Sequence, residues 1–383
     1  MKNSFFTLLT ITFLFCFIHD LSGQPGTDKI SIHGFAGWGF GISDGNQYTY
    51  APDKLNYDHF VFALNLSTKI NDRITFSAQP IWKTHTNGET RTEIDYAFAN
   101  YRFGKALNVK IGKVKSPIGL YSEIYNVGTL HPFMILPQSM YGTPGTVQKY
   151  YNGIGFSGSL FIKNDWFIDY DLIGGQINLE EMGSSSLMIA PDQKVKPIVR
   201  DMVAFRICVM PPVSSLRFGI VGMTGKVEYF DDSSEIAKSM AYGPHYQTSG
   251  FIEYITYRIW VRSEYLYFDK WDGTDMLLKS GYIETAVRIL EKWQIAGRYD
   301  WLNADFQLQG MSIPDAVSSY TEHAEWALGL NFWISPNFVI KCSYHQVEGN
   351  FFANPGVNLL EAIFGAEYKK ITKVILFGSH ISF

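Results

Sequence analysis

Cysteine is nearly absent. Of three in 383 residues, Cys16 lies in the leading apolar stretch, and only Cys208 and Cys342 belong to the body of the chain. Two cysteines exclude a disulfide framework, and the strand pattern read below puts them on opposite faces, which argues against a single bridge. Long apolar runs are equally scarce: after residue 23 no segment approaches the ~20 apolar residues of a membrane-crossing helix. An excess of one charge is missing too. Lys and Arg number 32 against 36 Asp and Glu, a net −4, so there is no nucleic-acid footprint. The chain has no C-x-x-C and no H-E-x-x-H, and His33, His85, His323 and His345 are scattered. Gly37-Trp38-Gly39-Phe40-Gly41 is glycine-rich but precedes no helix that could cradle phosphate, so its glycines are expected to relieve crowding where strands curve. No catalytic residue, metal site or cofactor is expected.

What is present is aromatic and periodic. Phe, Trp and Tyr make up 16% of the chain, alongside 34 glycines. Residues 1–23 have the form of a secretory signal peptide, with Lys2, the apolar Phe5 to Ile18, and Ser22-Gly23 before the expected cleavage. Phe15 is too large to precede a lipidated cysteine at Cys16. Residues 24–383 then form one domain of short segments with period-two alternation. In the clearest, Trp293, Ile295, Gly297, Tyr299 and Trp301 oppose Gln294, Ala296, Arg298 and Asp300.

Alternation alone fits a sandwich or a barrel. Three features favour an outer-membrane barrel. Short connections such as Asn71-Asp72, Gly104-Lys105, Lys163-Asn164, Pro211-Pro212, Glu291-Lys292 and Ser335-Pro336 alternate with long ones near 42–56, 86–91, 115–150, 179–199, 231–246, 270–278, 307–320 and 349–372. Aromatics gather near strand ends, where amphipathic rings suit a membrane interface. The chain also closes on a strand ending at Phe383. The fold class expected is therefore all-β, a transmembrane antiparallel β-barrel of about sixteen strands. The strands are expected near 29–41, 57–69, 73–85, 92–103, 106–114, 151–162, 165–178, 200–210, 215–230, 247–256, 259–269, 279–290, 293–306, 322–333, 337–348 and 373–383. Residues 358–368 have helical spacing and would make an odd count, so they belong to the last long loop, 349–372.

One stretch breaks the alternation. Lys110 to Tyr151 holds Pro117, Pro132, Pro137 and Pro144 together with Ile118, Leu120, Tyr121, Phe133, Ile135 and Leu136. Such a loop must bury its apolar content, and sixteen strands enclose a channel wide enough to receive it. Residues 115–150 are therefore expected to fold inward as a constriction.

Gly112-Lys113-Val114-Lys115-Ser116-Pro117-Ile118-Gly119-Leu120-Tyr121-Ser122-Glu123 resembles a run found in Gram-negative porin-like proteins, distantly similar to the phosphate-selective O/P-type porins. Leu136-Pro137-Gln138-Ser139-Met140-Tyr141 and the closing Ile381-Ser382-Phe383 are similar too. The resemblance implies an outer-membrane channel, assembled by the barrel-assembly machinery through Phe383 and often a homotrimer. Where members often carry arginines in the loop, this chain has Tyr125 and His131.

Turning the polar strand faces inward gives candidate pore-lining residues Lys83, Lys110, Arg206, Arg262, Arg288, Arg298, Asp300, Glu325 and Lys341; the loop adds Lys113, Lys115, Glu123 and His131. With Arg217 and the further inward acids Glu93, Asp95, Asp169, Asp171, Glu253, Glu264 and Glu284, eight basic wall residues face nine acidic ones, a near balance that would orient polar solutes without strongly rejecting either ion sign. The structural alternative is a wall of ion pairs that selects nothing. Passive diffusion of small hydrophilic solutes or ions is the function expected, with outer-membrane lipids as surroundings. A substrate-specific channel, for instance for anions such as phosphate, is the alternative, and a barrel enzyme a weaker one.

Overall fold

The computed structural model describes residues 30–84, 88–142, 147–178, 197–213, 215–229, 244–271, 274–308, 311–312 and 314–383. The signal segment, Asn87, Asp272-Gly273 and most of the expected loops 179–199 and 231–246 lie outside the described residues.

Sixteen long strands form the wall: β1 (Ile30–Ser43), β2 (Asn56–Lys69), β3 (Ile74–Thr84), β4 (Thr90–Arg102), β5 (Asn108–Lys115), β6 (Tyr150–Ile162), β7 (Trp166–Asn178), β8 (Pro197–Met210), β9 (Leu216–Tyr229), β10 (Pro244–Ile255), β11 (Ile259–Trp271), β12 (Thr274–Arg288), β13 (Trp293–Leu308), β14 (Glu322–Ser335), β15 (Phe338–Glu348) and β16 (Ile371–Ser382). Each pairs antiparallel with its neighbours in sequence. β1 pairs with both β2 and β16, Phe35 opposite Ser382 through Ser43 opposite Val374, so no edge strand is left. This is the all-β barrel with the strand number read from alternation.

The strands run further on the long-loop side than the pattern indicates. β8 starts at Pro197, and β11 and β12 reach Trp271 and Thr274, so most of the expected 270–278 loop belongs to the strands, with a bulge between Asp269 and Trp271. Above the apolar belt a strand needs no alternation, and its backbone ladder alone extends it. Residues 358–368 form no strand and hold the helix Leu359–Ile363. Among the described residues no helix is long and apolar enough to cross a membrane.

Side chains sort by parity. The outer face carries Ile220, Ile283, Trp326 and Leu328, all exposed, a continuous apolar belt of the kind a lipid-facing barrel needs. The inner face carries the buried charges, among them Arg262, Arg298, Asp300, Glu325 and Lys341. Cys208 is buried inside and Cys342 exposed outside, both as free thiols on the opposite faces that the alternation indicates.

Candidate functional site

The helix α1 (Gln138–Tyr141) and a 3-10 turn at Gly128–Leu130 belong to the connection between β5 and β6. β5 ends where its ladder fails. Ser116 N–H still donates to Lys149 O at 3.0 Å, and Pro117 then has no N–H to offer. Gly119 follows at φ +88°, a left-handed backbone that favours glycine; a Cβ there would lie 2.6 Å from the Tyr141 hydroxyl. The chain turns into the barrel at this point.

Two kinds of contact hold it there. Ile118, Tyr121, Leu136, Met140, Tyr141 and Val147 pack against inward side chains of the wall, among them Val114, Ile173, Met202, Leu266 and Leu278. Each such burial contributes roughly 1.5–3 kcal/mol. On the β1–β16 side the wall makes room by omission. A Cβ at Gly39 or Gly378 would meet the Met134 methyl at 2.7 or 2.3 Å, so these inward glycines form a cleft for the loop. That accounts for Gly39; a Cβ at Gly37 would instead meet His380 and one at Gly41 Leu376, both on the neighbouring strand.

The second kind is polar. Basic wall residues cap loop carbonyls: Arg262 Nη1 donates to Leu130 O at 2.9 Å, and Arg298 Nη1 to Ile135 O at 2.9 Å. Lys341 Nζ donates to Gly128 O and His131 O at 2.6 Å each, and to Phe133 O at 3.2 Å. Acidic wall residues take loop donors. Glu264 accepts from Leu120 N–H at 2.9 Å and from the Tyr141 hydroxyl, and Asp300 accepts from Ser139 N–H at 3.2 Å. The Tyr121 hydroxyl donates to Glu284 and accepts from Arg262 at 2.9 Å. These links join the wall into one buried network. Arg262 bonds Glu253 at 2.6 Å, while Arg298 bridges Glu284 at 3.5 Å and Glu325 at 2.6 Å.

Five of the residues read as pore lining, Arg262, Arg298, Asp300, Glu325 and Lys341, are therefore buried; four of them bond the loop, and Glu325 bonds Arg298, His345 and Tyr48 behind it. Their signal in the sequence, a charge on the polar face of a strand, is the same for a pore wall and for a socket. His131 is in the loop itself and buried, its ring N–H donating to Ile124 O at 2.9 Å. Burial, with the Lys341 ammonium close by, holds its pKa well below the usual histidine range. Arg288 lies near the short turns, over the rings of Tyr257 and Trp333 at 4.7 and 5.2 Å.

Lys113 leaves the lumen. It shares its strand face with exposed Ile111, donates to Ile94 O, and lies 3.7 Å from the Tyr150 ring centre. Lys115 bends back over the rim to Asp95 at 2.6 Å.

The remaining candidates face the other side of the loop. Lys110, Lys115, Glu123 and Asp171 line one hollow there. Arg206 bonds Asp171 at 2.7 Å and lies 3.8 Å from Glu123, whose side chain is 48% exposed. Further along this wall Lys83 pairs with Glu93 at 3.1 Å. Opposite, the side chains of Arg298 and Glu325 are 0% exposed. The charges that bond the loop from β11 to β15 are thus sealed, whereas on β3 to β9 Lys83, Glu93, Arg206 and Arg217 keep part of their surface open beside buried Asp95 and Asp171.

Sequence pattern missed Tyr48. It comes from the first long loop, whose Gln47–Tyr48 pair with Ala353–Asn354 of the last, and its buried hydroxyl donates to Glu325. Nothing in its neighbourhood breaks a pattern, so no local signal marks it. Gly41-Ile42-Ser43-Asp44-Gly45 has the spacing of a nucleophile elbow. Ser43 ends a strand with no helix behind it, however, and its hydroxyl donates to Asn46 O.

No family model matches this chain, and no curated protein matches it. Solved structures do. The outer membrane channel DcaP of Acinetobacter baumannii aligns with a TM-score of 0.59 at 9% identity, over 92% of this chain and 97% of that one. OmpF of Salmonella typhi, in complex with daunomycin, gives 0.58 at 12% over the same shares. A loop L8 deletion mutant of OmpT, an outer membrane protein of Vibrio cholerae, gives 0.57 at 8%, over 92% and 99%. At such identities the likeness shows a porin-type fold.

Proposed function

We propose that this chain is an outer-membrane channel for small hydrophilic solutes or ions, with its path displaced to one side of the inserted loop. The carrying observation is the difference between the two sides of the wall: buried charges fastened to the loop from β11 to β15, and the partly exposed Lys83, Glu93, Glu123 and Arg206 on the other side. Charged groups left in water beside a plug act on a passing solute; desolvated, mutually bonded ones act on the plug. Lys110, Lys115, Glu123, Arg206 and Asp171 are the residues that meet the solute, and Lys83 with Glu93 extend the path. Both signs occur within a few ångströms, which favours polar and zwitterionic solutes over a strict ion preference.

The fold likeness to DcaP, titled an outer membrane channel, supports this reading. We assign the chain to the outer membrane of a Gram-negative cell, reached by removal of residues 1–23. Insertion is proposed to run through the barrel-assembly machinery at Phe383, whose backbone exchanges hydrogen bonds with Gly34 at the closing seam. A homotrimer is the assembly proposed, since one OmpT structure is described as a trimer form. A phosphate-selective path is less favoured: Asp171 and Glu123 flank Arg206, and Asp95 takes Lys115.

Planar-bilayer recording tests the proposal. Glu123→Gln should move the reversal potential in asymmetric salt toward anion preference, and Arg206→Gln toward cation preference. A folded barrel that conducts no ions, or two variants with unchanged reversal potentials, would sink it.

A further inference from the structure

Behind the loop, two carboxylates stand directly opposite each other on adjacent strands, Asp300 on β13 and Glu325 on β14. Like charges so placed repel, and both side chains are wholly buried. Glu325 is well compensated. One of its oxygens accepts from Arg298 Nη2 at 2.6 Å and His345 Nδ1 at 3.1 Å, and the other from the Tyr48 hydroxyl. Asp300 is not. Its Oδ2 has the Ser139 N–H at 3.2 Å and His323 Nε2 at 3.4 Å, while Oδ1 has no partner among the described residues. Nor has Nδ1 of His323, whose side chain is also wholly buried. An orphaned buried acceptor costs free energy, and a buried anion short of a counter-charge costs more. Across this sealed wall Glu253, Glu264, Glu284, Asp300 and Glu325 outnumber the buried cations Arg262, Arg298 and Lys341.

We infer that Asp300, His323 and Glu325 bind a divalent metal ion of the zinc class. Donor atoms of the three lie within 4.8 Å of one another. His323 Nε2 and Asp300 Oδ2 stand 3.4 Å apart, long for a hydrogen bond. That separation matches the edge of a tetrahedron with bonds of roughly 2.0–2.1 Å. One imidazole with two carboxylates suits a borderline ion. Outer supports are in place: Ser139 N–H orients Asp300, Arg298 and His345 orient Glu325, and the Phe352 and Tyr48 rings pack on His323 at 5.0 and 6.3 Å. Sequence spacing hides the group because its members come from two strands and meet through register. The ion would supply the missing positive charge where β13, β14, the inserted loop and the first long loop meet.

The test is zinc content of the barrel folded in detergent with and without Zn²⁺, then dialysed, with heat-modifiable migration confirming the fold. About one ion per chain is expected, with Co²⁺ replacing it and giving four-coordinate visible absorption. Asp300→Asn and His323→Gln should each weaken binding at least about tenfold, while His245→Asn, a buried histidine on β10, should not. A wild-type barrel that retains no more zinc than Asp300→Asn overturns the inference and leaves an Asp300–His323 ion pair only. Undiminished binding in either variant overturns it as well. If the variants do not fold, X-ray absorption of zinc on the wild-type barrel decides: imidazole scattering supports the site, and an all-oxygen shell refutes it.

Discussion

At the scale of the residue, Lys341 shows how a wall charge is used. Its ammonium caps three loop carbonyls, those of Gly128, His131 and Phe133, in a site that is 1% exposed. Lys341→Met keeps most of the apolar stem and removes every donor, so three acceptors lose their partner at once. Hydrogen bonds from charged donors in buried sites are the strong ones, and we expect a loss of roughly 2–4 kcal/mol. Urea unfolding of the detergent-folded barrel would show it as a lower midpoint; an unchanged midpoint would mean that water reaches those carbonyls. The expectation from sequence that Lys341 lines a pore was correct about its face. The loop laid over that face changes its role.

At the scale of the element, the inserted loop is a plug with a socket made for it. Pro117 and Gly119 aim it, the glycines near Gly39 and Gly378 leave space, and wall charges meet its backbone end by end. The barrel ladder closes without it through β1 and β16. Deleting residues 118–141 with a short glycine bridge should therefore leave a folded, heat-modifiable barrel whose single-channel conductance rises severalfold, because sixteen strands enclose a wide lumen. Conductance equal to that of the intact chain would place the limiting constriction elsewhere. The residues Leu120, Tyr121 and Ser139 to Tyr141, which carry the resemblance to porin-like proteins, are the ones that touch Glu264, Glu284 and Asp300. The motif is a docking surface for the wall.

At the scale of the whole molecule, two faces of one sheet obey different solvents. The outer face at Leu328 is 69% exposed and apolar, and the inner neighbour Ala327 is buried. Leu328→Arg should cost about 2–4 kcal/mol in folding into phospholipid bilayers if that position lies near the midplane. A neutral outcome in bilayers would mean that the belt is not immersed there. Closure, outer belt and inner polarity act together: each strand satisfies its backbone through its neighbours, and only side chains choose between lipid and lumen.

The sequence by itself determined the strands, their number and their two faces. Period-two alternation is a local record of which side chain meets which solvent, and residues such as Trp293 to Trp301 carry it without help from distant parts of the chain. It also marked the stretch from Lys110 to Tyr151, because prolines and apolar residues break that record. Only the tertiary structure decided what the inner charges do. Arg298 and Arg206 look alike in sequence, each a basic residue on the polar face of a strand. One is sealed under Ile135 and the other keeps part of its surface open beside the half-exposed Glu123, because of where the loop lies in the lumen. The same holds for Asp300, His323 and Glu325, and for Tyr48 above them: their meeting depends on cross-strand register and on how two distant loops pack, which no single segment of the chain encodes.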